Sequence, residues 1–316
     1  MALEITQRDI SILRSLFESR ISTTAHISIH HFDCKAEAAK KRIFKLKTAN
    51  LIGERRTKVS DPSILFLTKK GIKLLESNGI LAEYPRLSAS ALQKRTRVSA
   101  LTIQHELEMM DVKAVFHLAI KGRPELRLEE FSTWPACYEF EVTDQNLGRE
   151  RCVQSDAFVR IYETESDGGL SEHSFFIELD RSTEMQDRLV LIAQCYQEYH
   201  RCGGFAEWCG GTRDQALEHP FRVLVIFKTE ERRNNFAERV LQAVPPILSQ
   251  MWLSTFSEVK SNPLGKVWIR PRDYRDAVKN TRFDPASDRK NWAYRRQTER
   301  DLIVREKIAK LELFTA

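Results

Sequence analysis

A chain of 316 residues, 42% hydrophobic and 30% charged, is long enough for two globular domains and too apolar for a disordered protein. Its formal net charge of +6 is unevenly distributed. Residues 1–100 contain 19 Lys and Arg against 9 Asp and Glu, a sum of +10, whereas the remainder has 31 against 35, a sum of −4. The N-terminal part is therefore the expected polyanion-binding region.

The sequence gives no indication of secretion or of insertion into a membrane. Three charged residues among the first ten are unlike a signal peptide, and no apolar run reaches the roughly 18 residues of a membrane span. The six cysteines form no Cys-x-x-Cys pair, and the spacing of Cys195, Cys202 and Cys209 matches no common zinc ribbon or finger. We therefore expect a cytoplasmic protein with reduced thiols.

Helical periodicity dominates the first 50 residues. Residues 5–20 are predicted to form a helix, because Thr6 and Asp9 have the spacing of a capping box and apolar residues follow at helical intervals. A short second helix is expected next, with Ser22 or Thr23 as its cap. Residues 35–49 are predicted to form a third helix.

This third helix combines an apolar stripe with a strongly basic surface. Ala36, Ala39, Ile43 and Leu46 recur at intervals of three and four residues, as in an amphipathic helix. The six basic residues stand against one acid, and a helix of this kind suits the DNA major groove. A solvated, charged helix is the alternative. The basic residues predicted to contact DNA are Lys35, Lys40, Lys41, Arg42, Lys45 and Lys47.

Two short strands and a further helix are predicted to follow. The strands flank a turn at residues 60–63, and Thr68 and Gly79 have the positions of a cap and a stop for the helix. The segment resembles winged-helix regulators, which implies an N-terminal winged helix-turn-helix. Arg55, Arg56 and Lys58 fall in the first strand, within expected reach of phosphates or the minor groove. The alternative is a winged helix that binds protein.

The second half mixes strands and helices, which predicts an α+β or α/β fold. The order of helix, three strands, helix and strand is that of a restriction-endonuclease-like αβββαβ domain. The predicted helices cover residues 101–120, 184–200 and 232–248, and the predicted strands cover 126–131, 152–162, 173–182, 221–229, 252–259 and 266–271. The predicted divisions are a DNA-binding domain at 1–84, a linker at 85–100, a nuclease-like domain at 101–272 and a basic, helical C-terminal extension at 273–316.

Three carboxylates form the candidate catalytic and metal site. Strand alternation puts Glu178 and Asp180 on one face, and Asp156 on a neighbouring strand is able to complete the cluster. Hard divalent cations such as Mg²⁺ bind to such carboxylates and activate water against a phosphodiester. The structural alternatives are a turn that begins at Asp180 and a pairing of Glu178 with Arg188.

These motifs carry two resemblances. The second half resembles the PD-(D/E)XK nuclease superfamily, but Asp180 stands where that pattern has its lysine, so the departure predicts a degenerate site. Across most of its length, the chain is similar to the replication-relaxation family of plasmid and mobile-element proteins. The winged helix, the segment at 105–112, the segment SDAFV at 155–159 and the segment FFIELDRSTE at 175–184 carry this likeness.

The resemblance implies a DNA-binding protein of a plasmid or mobile element that acts in replication, transfer or their regulation. Its nuclease-like domain is interpreted as degenerate, with no required cofactor. The alternatives are a Mg²⁺-dependent endonuclease or nickase and a transcriptional repressor. The expected partner is double-stranded DNA, and replication, transfer or recombination proteins of the same element and a homodimer remain open. No membrane partner is expected.

Overall fold

The computed structural model describes residues 3–56, 61–84, 100–133, 139–144, 148–181, 186–280 and 308–314. The chain divides into two compact units. The first contains the described residues up to Leu118 together with Ser132 and Thr133, and the second contains Ala119–Phe131 and the described residues from 139 onward. The fold is mixed, with helices, an antiparallel sheet and a mixed sheet. None of the helices in the described part of the chain is both long enough and apolar enough to cross a membrane.

The first unit contains a three-stranded antiparallel sheet surrounded by helices. Thr6 and Asp9 form the expected capping box at the first helix, and Thr23 and Thr68 cap the second and fourth. The strand order in the sheet is β1-β3-β2. The elements are α1 (Gln7–Ser19), β1 (Ile21–Thr23), α2 (Thr24–His31), α3 (Ala36–Thr48), β2 (Ile52–Arg55), β3 (Ile64–Leu67), α4 (Lys69–Ser77) and α5 (Ala100–Lys121).

One apolar core unites α1 to α4 with β2 and β3 in the first unit. The predicted core residues are buried in one cluster: Leu13, Leu16, Phe17, Ile43, Leu46, Leu51 and Leu67. The predicted stripe of α3 is wrong at Ala36, which is exposed because it lies in the first turn, before the helix meets the core. The side chain of Arg20 donates to Glu106 of α5 over 2.9 Å, so α5 is bonded to the segment after α1.

The second unit is built on a five-stranded mixed sheet of order β10-β9-β8-β7-β4, accompanied by the separate hairpin β5-β6. Strand β8 pairs antiparallel with β7 and parallel with β9, which pairs parallel with β10. The strands are β4 (Leu126–Thr133), β5 (Glu139–Asp144), β6 (Arg149–Gln154), β7 (Ala157–Thr164), β8 (Leu170–Asp180), β9 (Phe221–Phe227) and β10 (Met251–Thr255).

Helices cover one face of this sheet. Phe158 and Phe176 from the sheet pack with Tyr196 and Phe236 from two helices in the largest core cluster. Because Phe176 and Glu178 have the same parity on β8, this packing directs Glu178 toward the same helical layer. The helices are α6 (Gln186–Arg201), α7 (Gly204–Trp208), α8 (Glu230–Gln242), α9 (Phe256–Ser261) and α10 (Pro271–Asn280).

Four predicted elements of the second unit are wrong in their extent. The strand expected at 266–271 is reduced to two isolated bridges, at Trp268 and Ile269. The single strand expected at 152–162 is two strands, β6 and β7, because the chain bends at Asp156 and changes sheet. The strand expected at 252–259 becomes helix α9 after Thr255, which forms a capping box with Glu258. The helix expected at 232–248 begins at Glu230 and ends at Gln242, because prolines cannot continue its hydrogen bonding.

Two predicted segments fall largely outside the described residues. The linker at 85–100 is described only at residue 100, where α5 begins. The C-terminal extension is described at 273–280, within α10, and at 308–314, whereas residues 281–307 lie outside the described ranges. The prediction of a helical end to the chain therefore stays a prediction.

Candidate nucleic-acid interface and carboxylate cluster

Helix α3 has one apolar face and one cationic face. Ala39, Ile43 and Leu46 are buried in the core of the first unit. The opposite surface carries four of the predicted DNA contacts, since an amphipathic helix exposes every position away from its buried stripe. The exposed basic residues are Lys35, Lys40, Lys41 and Lys45.

A short connection between α2 and α3 sets the start of the basic helix. Asp33 and Cys34 have positive φ angles of 49° and 64°, a conformation that Asp adopts more readily than most residues. The amide of Cys34 donates to the carbonyl of Ser28 over 3.1 Å, and the amide of Lys35 donates to that of Phe32 over 2.9 Å. These bonds satisfy the end of α2 and turn the chain directly into α3.

Arg42 is part of the same helix but is bound within the fold. Its guanidinium makes a two-point ion pair with Asp9, with an Nε to Oδ1 distance of 2.6 Å, and donates to the carbonyl of Glu4 over 2.8 Å. Asp9 is fully buried. Burial raises the pKa of the Asp9 carboxyl, but hydrogen bonds from Arg42 and Thr6 outweigh that effect and hold the pKa below its ordinary value. Arg42 thus links α3 to the start of α1.

The other predicted contacts lie at the end of α3 and on the first strand of the sheet. Lys47 is half-buried and pairs with Glu54 of β2. Arg55 is half-buried, and exposed Arg56 donates from Nε to the Ser63 hydroxyl over 2.9 Å. Lys58 lies outside the described residues. Among the predicted contacts of this region, Arg56 is the exposed cation next to the sheet.

Phe44 is a surface residue that sequence reasoning missed. Its side chain is 68% exposed on the cationic side of α3. The signal was present in the sequence, because Phe44 follows Ile43 directly and therefore falls about 100° away from the buried stripe. Its presence adds an apolar group to an otherwise charged surface.

In the second unit, Glu178 of β8 is held by a tyrosine of α6. The hydroxyl of Tyr196 donates to Oε1 of Glu178 over 2.5 Å, and both side chains are buried. Burial raises the pKa of Tyr196 well above its ordinary value, and the charges of Glu178 and Asp156 act in the same direction. The phenol therefore keeps its proton and remains a donor to the carboxylate.

Asp156 lies in the bend before β7, where it completes the hydrogen bonding of the neighbouring strand. Its Oδ2 accepts from the backbone amide of Leu179 over 2.8 Å. The pairing of β7 with β8 ends at Ala157 and Ile177, so the carboxylate replaces a backbone carbonyl just beyond the last pair. This bond places Asp156 beside Leu179, the residue that follows Glu178 on β8.

Asp180, the third predicted acid, is paired with an arginine from α8. The Arg232 guanidinium donates through Nε and through Nη2, the latter over 2.9 Å to Oδ1. Asp180 is buried and Arg232 is largely so, with a side chain 18% exposed. Sequence reasoning considered Arg188 as a partner for this cluster but not Arg232, which is 52 residues from Asp180.

The described residues contain no group of three His, Cys, Asp or Glu side chains arranged to hold a metal ion. Asp156 accepts with one oxygen from a backbone amide, Glu178 accepts with one from a phenol, and Asp180 accepts with both from a guanidinium. These bonds compete with a cation for the same lone pairs. The three-acid metal site stays a prediction from sequence.

Comparisons with known proteins give one match. A protein-family model described as replication-relaxation matches residues 13–212, which include α3, the antiparallel sheet, Asp156, Glu178 and Asp180. No curated protein and no solved structure matches the chain.

Proposed function

Because the chain belongs to the replication-relaxation family, we propose that it is a duplex-DNA-binding protein acting in plasmid or mobile-element replication or relaxation. The first unit is the proposed DNA-binding part. Its element order of helix, strand, helix, helix and two strands, with an antiparallel sheet, supports a winged helix-turn-helix. In this arrangement α3 is the recognition helix, and β2 with β3 forms the wing.

The observation that carries the proposal is the cationic, exposed face of α3. Lys40, Lys41 and Lys45 project from a helix whose other face is fixed in the core. An α-helix fits the B-DNA major groove, and lysines at its surface neutralise phosphates and release counterions. Arg42 supports this surface indirectly, because its pair with Asp9 anchors the middle of α3 to α1.

The proposal is tested by replacing Lys41 and Lys45 with alanine in the full chain. Each removed phosphate contact should lower the slope of log affinity against log salt by about one, so we expect a fall of up to about two and weaker duplex binding at low salt. Fluorescence anisotropy over a series of salt concentrations measures both quantities.

A matched control removes the same charge elsewhere. Lys228→Ala with Lys260→Ala deletes two exposed lysines of the second unit. We expect this variant to retain the wild-type salt slope. Equal losses in the two double variants would show that net charge, rather than α3, governs binding, and unchanged binding by the α3 variant would refute the assignment.

For the second unit, we propose a degenerate nuclease-like domain used for partner docking, dimerisation or a second DNA contact. The protein's own donors to Asp156, Glu178 and Asp180 support this, since they give each acid a structural role. The absence of lysine at position 180 supports it further, because a nuclease of this type needs a cation beside the attacking water.

A metal-dependent endonuclease is the second candidate, favoured by one observation. Asp156 accepts from the amide of Leu179, the residue next to Glu178, so two of the predicted acids lie near one another at the ends of adjacent strands. Nicking of supercoiled DNA with Mg²⁺ or Mn²⁺ that disappears in the Asp156→Ala, Glu178→Ala double variant would support this candidate. Cleavage that survives both substitutions would indicate a contaminant.

A further inference from the structure

The outermost line of α3 is not uniformly charged. With 3.6 residues per turn, residues 37, 41, 44 and 48 follow one another along the side directly opposite the buried stripe. All four side chains are exposed: Glu37, Lys41, Phe44 and Thr48. A phenyl ring therefore stands at the centre of the surface that would face DNA, with Lys40 and Lys45 on either side of it.

The exposure of Phe44 is not explained by packing. Its neighbour Ile43 is only 4% exposed, whereas Phe44 is 68% exposed, so the core of the first unit has no place for the ring. The flanking cations make an apolar protein partner a poor match, because its docking would desolvate Lys41 and Lys45. Duplex DNA satisfies both kinds of group, with phosphates for the lysines and an apolar contact for the ring.

The apolar feature of the major groove is the C5-methyl group of thymine, and phenylalanine is among the side chains that contact it. We infer that Phe44 is a specificity-determining residue, which selects DNA sites with thymine beneath the centre of α3. This inference rests on the proposed function and deepens it. The lysines supply affinity for any duplex, and Phe44 supplies preference among sequences.

The other polar groups on this line are compatible with that role. The Glu37 carboxylate accepts from Lys40 over 2.7 Å, which offsets its repulsion of phosphate. The Thr48 hydroxyl donates to the backbone carbonyl of Phe44 over 3.0 Å. This bond within the helix already uses the donor capacity of the Thr48 hydroxyl.

The test measures how the affinity for duplex DNA depends on the thymine methyl group and on the Phe44 ring. The full-length protein first selects its preferred duplex from a random-sequence pool, and each thymine in that duplex is then replaced by uracil, which lacks only the methyl group. For wild type, we expect uracil at one or two positions to weaken binding about fourfold, the value of one buried methyl group. For Phe44→Ala, we expect weaker binding to the thymine duplex and no further loss with uracil.

Two control variants complete the experiment. Phe44→Leu keeps an apolar side chain and should retain part of the thymine preference. Leu118→Ala shortens another exposed apolar residue of the first unit, and this variant should keep the wild-type preference for thymine. Because Phe44 is exposed, its substitution should not alter the melting temperature. A preferred duplex with no uracil-sensitive thymine, or a Phe44→Ala variant with the wild-type thymine preference, would overturn the inference.

The inference and the proposed function fail in different ways. If wild type binds no duplex, or binds independently of Lys41 and Lys45, the proposed function is wrong. If binding depends on these lysines but treats thymine and uracil alike, only the inference about Phe44 is wrong. A change of oligomeric state in Phe44→Ala without DNA would also overturn it, because the ring would then contact a second copy of the chain.

Discussion

The cationic face of α3 and the carboxylate cluster of the second unit use charge in opposite ways. Lys41 and Lys45 are exposed, and within the described part of the chain neither forms an ion pair. Glu178 and Asp180, by contrast, are buried against Tyr196 and Arg232. Exposed charges are available to a ligand at little cost to folding, whereas buried, paired charges cannot be removed singly without loss of stability.

Helix α3 alone contains both kinds of charge, because Arg42 is paired with a buried acid and Lys45 is exposed. Substitution of Arg42 gives the largest expected effect on stability. Arg42→Ala leaves the buried carboxylate of Asp9 without its cation, which should lower the free energy of unfolding of the first unit by about 3–5 kcal/mol. Lys45→Ala, at an exposed position three residues later, should change it by no more than about 0.5 kcal/mol. Urea denaturation followed by circular dichroism measures both values.

This comparison fails if the two substitutions have reversed effects. An Arg42→Ala variant with wild-type stability and selectively weaker DNA binding would make Arg42 a contact to DNA rather than a support for α3. The double variant Asp9→Asn, Arg42→Ala separates the pair further. It should be more stable than Arg42→Ala alone, because no unpaired charge remains buried.

A smaller effect on stability is expected at Asp156. Substitutions there test whether this residue has a structural role or a catalytic one. Asp156→Ala leaves the amide of Leu179 without its acceptor and should destabilise the second unit by about 1–3 kcal/mol. Asp156→Asn keeps a side-chain carbonyl and should retain most of that stability. Thermal unfolding of both variants tests the structural role. If wild type and both variants were equally stable, Asp156 would have no structural role, and the nuclease interpretation would be favoured.

Sequence reasoning recovered what local patterns determine. The capping box of Thr6 and Asp9, the cap at Thr68 and the buried stripe at Ala39, Ile43 and Leu46 depend on residues close in sequence, and all are present in the structure. The break at Asp156 was missed because continuous alternation from 152 to 162 conceals a change of sheet.

Pairings between distant residues were beyond a single sequence. Arg42 with Asp9 and Arg232 with Asp180 join residues 33 and 52 positions apart, and charge pattern alone does not choose among many possible partners. In both pairs, the structure gives a predicted site residue a role within the fold. Arg42, predicted to contact DNA, supports α3 instead, and Asp180, predicted to bind a metal, is paired with a cation of the protein itself.

Glu106 gives the last prediction, because it is a charge that is neither exposed nor well paired. It lies on α5, and burial raises its pKa to about 7 although Arg20, His105 and Arg55 act to lower it. Its Oε1 accepts from Arg20 over 2.9 Å, whereas its Oε2 is buried and has no partner among the described residues. The carboxylate thus resembles the buried acids of the second unit in position but not in bonding.

A raised pKa makes the folded state bind its proton more tightly than the unfolded state does. The resulting stability is present in full below the ordinary pKa of 4.5 and is lost as the pH rises through about 7. Relative to Glu106→Gln, which does not titrate, wild type should therefore lose on the order of 1–3 kcal/mol between pH 4.5 and 7.5. Denaturation at several pH values measures this difference, with Glu76→Gln, at an exposed position of α4, as the control. If wild type and Glu106→Gln show the same pH dependence, the Arg20 pair compensates the burial of Glu106 in full, and this carboxylate belongs with the satisfied charges of the second unit.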